Sequence, residues 1–203
     1  MHRKALKHLR AVDPALGEVI ARVGPYKLVP RADGTHFDHV VRSIVGQQLS
    51  GKAADTIYKR VLDLKGGKRP TPADFLKFPD SKLRAAGLSG RKTEYVKELA
   101  RRTHDGSLAI LRIHEMDDDA VMETLVSVRG IGPWTAQMVL MFRLGRPDVF
   151  PELDLGVQKA VQKLRRMRKL PTPRQMVKIG RTYAPFRTYA AWYLWRSLEL
   201  PAD

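Results

Sequence analysis

The chain has 203 residues, of which 43% are hydrophobic, a balance that supports one globular domain and excludes intrinsic disorder. The absence of cysteine excludes disulfides, zinc–thiolate sites and thiolate-bound iron–sulfur clusters. Lys and Arg number 37 against 21 Asp and Glu, a net charge of +16 that favours nucleic acid as the partner, with a membrane surface or an acidic protein as alternatives. The densest basic run is 163–169, for which a solvated helix end is an equally good interpretation.

The sequence carries no targeting or membrane signal. Its apolar stretches are too short and too often interrupted by charges to cross a membrane. No apolar segment follows the basic N-terminus, so no signal peptide is predicted. Together with the lack of cysteine, this predicts an intracellular, cytoplasmic protein.

Apolar residues recur at helical spacing along most of the chain, and alternating strand patterns of useful length are absent. About ten helices are predicted. They cover 36–48, 50–65, 71–76, 80–86, a long segment from Ser89 onward, 118–127, 133–142, 155–167, a segment from Thr172 onward, and 185–199. The stretch 19–29 is ambiguous, and its Gly-Pro pair favours a turn. The pattern predicts an all-α fold of two helical lobes with a cleft between them, divided within 104–116.

Residues 125–142 read Leu-Val-Ser-Val-Arg-Gly-Ile-Gly-Pro-Trp-Thr-Ala-Gln-Met-Val-Leu-Met-Phe and predict two helices joined by a tight hairpin. Gly130 and Gly132 suit backbone positions that a Cβ disfavours, and Ile131 between them can fill the angle between the helices. Pro133 suits the first helical position. The N–H groups at such a helix start bind anions, so a DNA phosphate is the predicted ligand, with an ordinary structural corner as the alternative.

The hairpin resembles that of the helix-hairpin-helix DNA glycosylase superfamily. Three further segments match the superfamily in order: Ile-Val-Gly-Gln-Gln-Leu-Ser at 44–50, Ala-Gly-Leu-Ser-Gly-Arg-Lys at 86–92, and the Gly/Pro-rich loop 145–156 with its Asp. The branch that it most resembles is the 3-methyladenine DNA glycosylase II type. The resemblance implies that 1–203 is one helical glycosylase domain of two lobes, without the N-terminal β domain that this branch often carries.

The resemblance also implies roles for individual residues. Asp154, at the end of the loop, is the implied catalytic carboxylate, which would stabilise a positively charged sugar and orient a water. Helix capping is the alternative or additional role of Asp154. Glu152 is the nearest rival for the catalytic role. Trp134 stands where strand-cleaving relatives carry a Schiff-base Lys, so no lyase activity is expected. The base-pocket candidates are Trp134, Phe186 and Phe37. The DNA-binding candidates are Gly130, Ile131, Gly132, Thr135, Gln48 and Leu49, with either of the last two as the side chain that fills the gap left by a flipped base.

The resemblance implies no cofactor and no iron–sulfur cluster. A structural Na⁺ or K⁺ is an open possibility, held by the backbone carbonyls of Val126, Val128 and Ile131.

The expected function is therefore a monofunctional DNA glycosylase that flips out and hydrolyses alkylated bases from double-stranded DNA and leaves an abasic site. A monomer acting on the bacterial nucleoid is expected. Two alternatives remain open: a non-catalytic DNA-binding module built on the same hairpin, and a glycosylase for deaminated or oxidised bases.

Overall fold

The computed structural model describes residues 1–201, and no strand occurs within that range, which confirms the predicted all-α fold. Twelve α-helices and one 3₁₀ helix are present in it. They are α1 (His2–Val12), α2 (Pro14–Val23), α3 (His36–Gly46), α4 (Gly51–Asp63), α5 (Pro72–Lys77), α6 (Asp80–Ala85), α7 (Gly90–His104), the 3₁₀ helix (Ile110–Glu115), α8 (Asp118–Val126), α9 (Pro133–Phe142), α10 (Leu155–Leu164), α11 (Pro173–Thr182) and α12 (Arg187–Ser197).

Most predicted helix starts are correct because they depend on local capping chemistry. Thr172 and Gln175 form a reciprocal capping box at the start of α11, and the Asp117 side chain accepts the Ala120 N–H at the start of α8. One predicted start is wrong, because the last helix begins at Arg187 rather than at Pro185.

Helices α1 and α2 were not predicted from the sequence. The junction between them did carry a signal, since Asp13 caps α2 by accepting the Leu16 N–H and Pro14 occupies the first helical position. In the ambiguous stretch that follows, α2 ends at Val23 and Gly24 adopts a positive φ of 82°.

The chain forms two compact units, and the predicted division within 104–116 is wrong. Unit 1 joins Met1–Pro30 to the chain from Leu140 onward, whereas unit 2 is Arg31–Val139. In unit 1, α12 packs against α1, α2 and α10, which is why the first helices belong with the last ones. The sequence predicted one boundary between two continuous lobes. The chain instead leaves unit 1 after α2 and returns to it within α9.

Each unit has its own apolar core. In unit 2, α7 packs against α3 and α5, and the buried core includes Phe37, Val41, Ile44, Phe75, Val96 and Leu99. In unit 1, the buried Tyr183 hydroxyl donates to Asp13 at 2.7 Å, and the Tyr193 hydroxyl donates to the Gly24 carbonyl at 2.9 Å. These long-range bonds tie α11 and α12 to the N-terminal helices.

Within residues 1–201, no helix is both long enough and apolar enough to cross a membrane.

Candidate active site

The loop between α9 and α10 is fixed to the start of α12 by a set of polar contacts. Asp148 accepts two bonds from the Arg187 guanidinium, at 2.8 and 3.0 Å, and one from the Arg187 backbone N–H at 3.1 Å. The Thr188 hydroxyl donates to the Arg146 carbonyl at 2.6 Å and accepts the Val149 N–H at 3.0 Å. Bidentate Arg–carboxylate pairs fix orientation as well as distance. The first part of the loop is therefore fixed in place, ahead of the residue that ends it.

That residue is Asp154, which accepts two hydrogen bonds at one oxygen of its carboxylate. Its Oδ1 accepts the Val157 N–H at 2.8 Å, which makes Asp154 the N-cap of α10, and it also accepts the Trp195 indole N–H at 2.8 Å. The Trp195 ring stacks on Phe142 with ring centres 5.8 Å apart. The helix-cap role that the sequence predicted for Asp154 is therefore confirmed. The same half-buried carboxylate is also oriented by the Trp195 indole.

Gly156 allows this close arrangement. A Cβ at Gly156 would lie 3.0 Å from the Asp154 Oδ1 and 3.0 Å from the Trp195 Cδ1. Such separations are closer than most real Cβ contacts, so any larger residue would push the indole and the carboxylate apart. Neither Gly156 nor Trp195 was assigned a role from the sequence. Gly156 stands two residues after Asp154, which was a usable signal, whereas Trp195 lies 41 positions away on a helix without a distinctive pattern.

We expect Trp195→Phe to slow any reaction at Asp154 while leaving the fold intact. Phe preserves the stacking on Phe142 but removes the N–H that orients the carboxylate. A hydrogen bond to a charged group is worth about 1.5–3 kcal/mol, or roughly a 10- to 100-fold change in rate. Single-turnover rates measure this, and Trp192→Phe on the same helix is the control. Equal rates for the two variants would show that the Trp195 N–H does not contribute to the reaction at Asp154.

The hairpin between α8 and α9 is closed by one backbone bond, from the Ile131 N–H to the Val128 carbonyl at 3.0 Å. Gly130 has a φ of +87°, and a Cβ there would lie 2.1 Å from the Tyr95 ring, so glycine is required on both counts. The same prediction for Gly132 is wrong. Its φ is not positive, and a Cβ there would meet nothing within 4 Å.

Segments that are far apart in the sequence meet at this hairpin. The Gln47 side-chain amide donates to the Gly130 carbonyl at 2.8 Å. The Lys92 ammonium donates to the Val45 and Gln47 carbonyls, at 2.8 and 2.7 Å, and so caps the end of α3. Partial burial lowers the Lys92 pKa from its ordinary value. The segments 44–50 and 86–92 therefore support the hairpin from within unit 2.

The turn after α3 exposes two candidate side chains. Gln48 is exposed and has a φ of +59°, one of two positive values among the described non-glycine residues. Leu49 is 39% exposed beside it. A non-glycine residue in this region of φ carries strain of order 1–3 kcal/mol, and such residues cluster at functional sites.

The other candidates lie in different surroundings. Trp134, in the first turn of α9, is 42% exposed, whereas Thr135 next to it is buried. Phe186 is half-buried, with edge contacts to His8 and Tyr189. Phe37 is buried in unit 2 with its ring edge against Phe75. The structure therefore presents Trp134 most openly, and Phe37 lies in a core environment.

The candidate cation ligands belong to the hairpin itself. Val126 is exposed, whereas Val128 and Ile131 are buried. Their carbonyls are hard oxygen donors, the type that alkali cations take, although the Val128 carbonyl already accepts the Ile131 N–H. Among residues 1–201, no group of three or more His, Asp or Glu side chains could hold a metal ion.

The all-α fold, the glycine hairpin between α8 and α9, and a carboxylate that caps a helix at the end of a loop are the features of the helix-hairpin-helix superfamily named above. Residues 41–185 match the family model described as HhH-GPD superfamily base excision DNA repair protein. The chain belongs to this superfamily.

Named relatives are similar over nearly the whole chain. DNA-3-methyladenine glycosylase 1 of Schizosaccharomyces pombe is 34% identical over 200 residues, covering 97% of this chain and 88% of that protein. The structure of the S. pombe 3-methyladenine DNA glycosylase Mag1 in complex with abasic DNA superposes with a TM-score of 0.86 at 33% identity, covering 97% of each chain. A DNA-3-methyladenine glycosidase from Bacillus halodurans gives 0.84 at 35% identity, covering 95% of this chain and 88% of the other.

Proposed function

We propose that this protein is a monofunctional DNA N-glycosylase that removes alkylated bases of the 3-methyladenine type from double-stranded DNA and leaves an abasic site. The observation that carries the proposal is the Asp154 carboxylate, which is fixed by the Val157 N–H and the Trp195 indole at the end of the loop between α9 and α10. The names of the relatives support the substrate class. The protein acts as a monomer on the chromosome in the cytoplasm.

Asp154 supplies the chemistry through its negative charge. Excision breaks the bond between C1′ and the base nitrogen, and positive charge develops on the sugar. A fixed carboxylate stabilises that charge without reorganising, and it can accept a proton from the water that adds to C1′. A base that carries a positive charge through alkylation leaves as a neutral molecule, so the reaction needs no separate acid at the base.

Trp134 defines the products. An indole cannot form a Schiff base with the sugar, so the strand is left intact at the abasic site. Its exposed face stacks on the extruded base, which suits a cationic alkylated purine. Phe186 and Phe37 are the further candidates for base contacts, and Phe186 is the better placed of the two because it is not part of a buried core.

The hairpin holds the duplex backbone. The backbone N–H groups in the first turn of α9 bind a phosphate, and Gly132 leaves room for a close approach because no side chain stands there. Gln48 fills the gap left by the flipped nucleotide. It is exposed at a turn, and its strained backbone is of the kind that clusters at functional sites. Leu49 lies beside it as the alternative plug.

A further part of the proposal is a monovalent cation held at the hairpin by the backbone carbonyls of Val126, Val128 and Ile131. Such an ion would add positive charge next to the phosphate site and take no part in bond cleavage. Duplex affinity measured at constant ionic strength should then be higher in KCl or NaCl than in tetramethylammonium chloride.

A duplex that contains one 3-methyladenine analogue or 7-methylguanine tests the function. We expect release of free base, strand cleavage only after alkali treatment, and no covalent adduct with borohydride. Tight binding without base release would instead indicate a DNA-binding module. Release from duplexes with a deaminated or oxidised base, and not from methylated ones, would indicate a different substrate class.

A further inference from the structure

The charge of the chain is concentrated in one part of unit 1. Residues 155–198 contain eleven Lys or Arg and no Asp or Glu, so this stretch of 44 residues supplies most of the net charge of +16. Three of these cations have carboxylate partners elsewhere: Arg165 with Asp13, Arg187 with Asp148 and Arg196 with Glu199. The hairpin, in unit 2, contains none of them.

Three of the remaining cations form a row on α11. Arg174, Lys178 and Arg181 are separated by four and three positions, so they lie on one face of the helix, and all three are exposed. Among the described residues, none of the three has a carboxylate within ion-pair distance. Like charges at this spacing repel one another, which opposes helix formation by a few tenths of a kcal/mol per pair. Their mutual repulsion therefore does not stabilise α11.

The face beside this row is concave and carries more positive charge. A cavity of about 400 Å³ separates the end of α10 from α11, and its lining includes Arg165 and Lys178 together with the polar side chains of Gln175 and Thr182. The connection between the two helices adds three exposed cations, Arg166, Arg168 and Lys169. We call six of the exposed cations of α11 and of this connection the α11 basic surface: Arg166, Arg168, Lys169, Arg174, Lys178 and Arg181.

We propose that the α11 basic surface is a second contact for the phosphate backbone of duplex DNA, in addition to the hairpin. The row on α11 is about 10.5 Å long at 1.5 Å per residue, which matches the axial rise of about three nucleotides in one strand of a duplex. Its side chains are long, flexible cations that carry hydrogen-bond donors and no acceptors, which suits them to phosphate oxygens. The partner rests on the proposed function, since a repair enzyme must hold undamaged DNA on which it searches.

The salt dependence of binding to undamaged duplex tests this surface. We expect the triple variant Arg174→Gln/Lys178→Gln/Arg181→Gln to reduce the slope of log Kobs against log [KCl] by about 0.9 for each phosphate that the variant no longer binds, and by up to about 2.7 in all. The control is Lys59→Gln/Arg101→Gln/Arg112→Gln, which removes the same charge from exposed cations that already pair with Asp63, Asp105 and Glu115. The control should retain nearly the wild-type slope.

Three results would overturn the proposal: an unchanged slope in the α11 variant, an equal change in the control, or weaker binding of the α11 variant to phosphatidylserine vesicles with no change for DNA. Thermal melting checks that both variants fold. Base release at saturating enzyme is measured separately, so that a loss of duplex binding is not mistaken for a loss of chemistry. Failure of the wild-type protein to release methylated bases would contradict the glycosylase proposal alone, because the slope is measured on undamaged DNA.

Discussion

Asp154→Asn is expected to abolish base release, by about 10³-fold or more, with little change in duplex affinity or stability. Asn preserves the size of the side chain and an oxygen that accepts the Val157 and Trp195 N–H groups, and Asn caps helices as well as Asp does. Only the negative charge that stabilises the sugar cation is removed. Single-turnover assays on a methylated duplex measure the rate, and binding to undamaged duplex measures the affinity.

Glu152→Gln is the matched control for this variant. It removes an equal charge two residues earlier on the same loop, where the backbone carbonyl, rather than the carboxylate, accepts the Gln158 side chain. We expect it to release methylated base at close to the wild-type rate. If Asp154→Asn retained comparable activity, or if Glu152→Gln lost as much, the carboxylate assigned to the chemistry would be the wrong one.

Gly130→Val should have the largest effect on stability. A β-branched residue is strained at a φ of +87°, and its Cβ would overlap the Tyr95 ring at 2.1 Å. Backbone strain and overpacking each cost about 1–3 kcal/mol, so a decrease of about 3 kcal/mol or more in the free energy of unfolding is expected in chemical denaturation. Duplex binding should fall with it, because the hairpin carries the phosphate-binding amides.

Gly132→Val separates folding from binding at the same hairpin. A Cβ there meets nothing within 4 Å, and the residue before a proline favours extended backbone, which suits Val. This variant should therefore be nearly as stable as the wild type and still bind both damaged and undamaged duplex more weakly, since its side chain stands in the path of the phosphate. If Gly132→Val bound duplex with wild-type affinity, the hairpin would not be part of the DNA-binding surface.

The parts of the fold that were predicted correctly depend on neighbours in sequence. Ser89 accepts the N–H of Lys92, and Thr172 and Gln175 cap each other over three residues, so the starts of α7 and α11 could be assigned from the chain alone. The two units could not be assigned. Their division depends on α1 and α2 packing beside α12, and a pattern with a period of 3.6 residues shows that a helix has an apolar face but does not show what covers it.

The sequence by itself determined the all-α class, the hairpin and the absence of thiolate chemistry, and it singled out Asp154 as the candidate carboxylate, because helix caps, glycine turns and a matching motif all lie in short stretches of chain. Only the tertiary structure decided that Trp195 orients Asp154, that Gly156 makes room for it, and that Lys92 and Gln47 support the hairpin. The hydrogen bonds among these contacts join residues from 41 to 83 positions apart. Bonds of about 2.8 Å depend on the path of the backbone between the two partners, which no local pattern specifies.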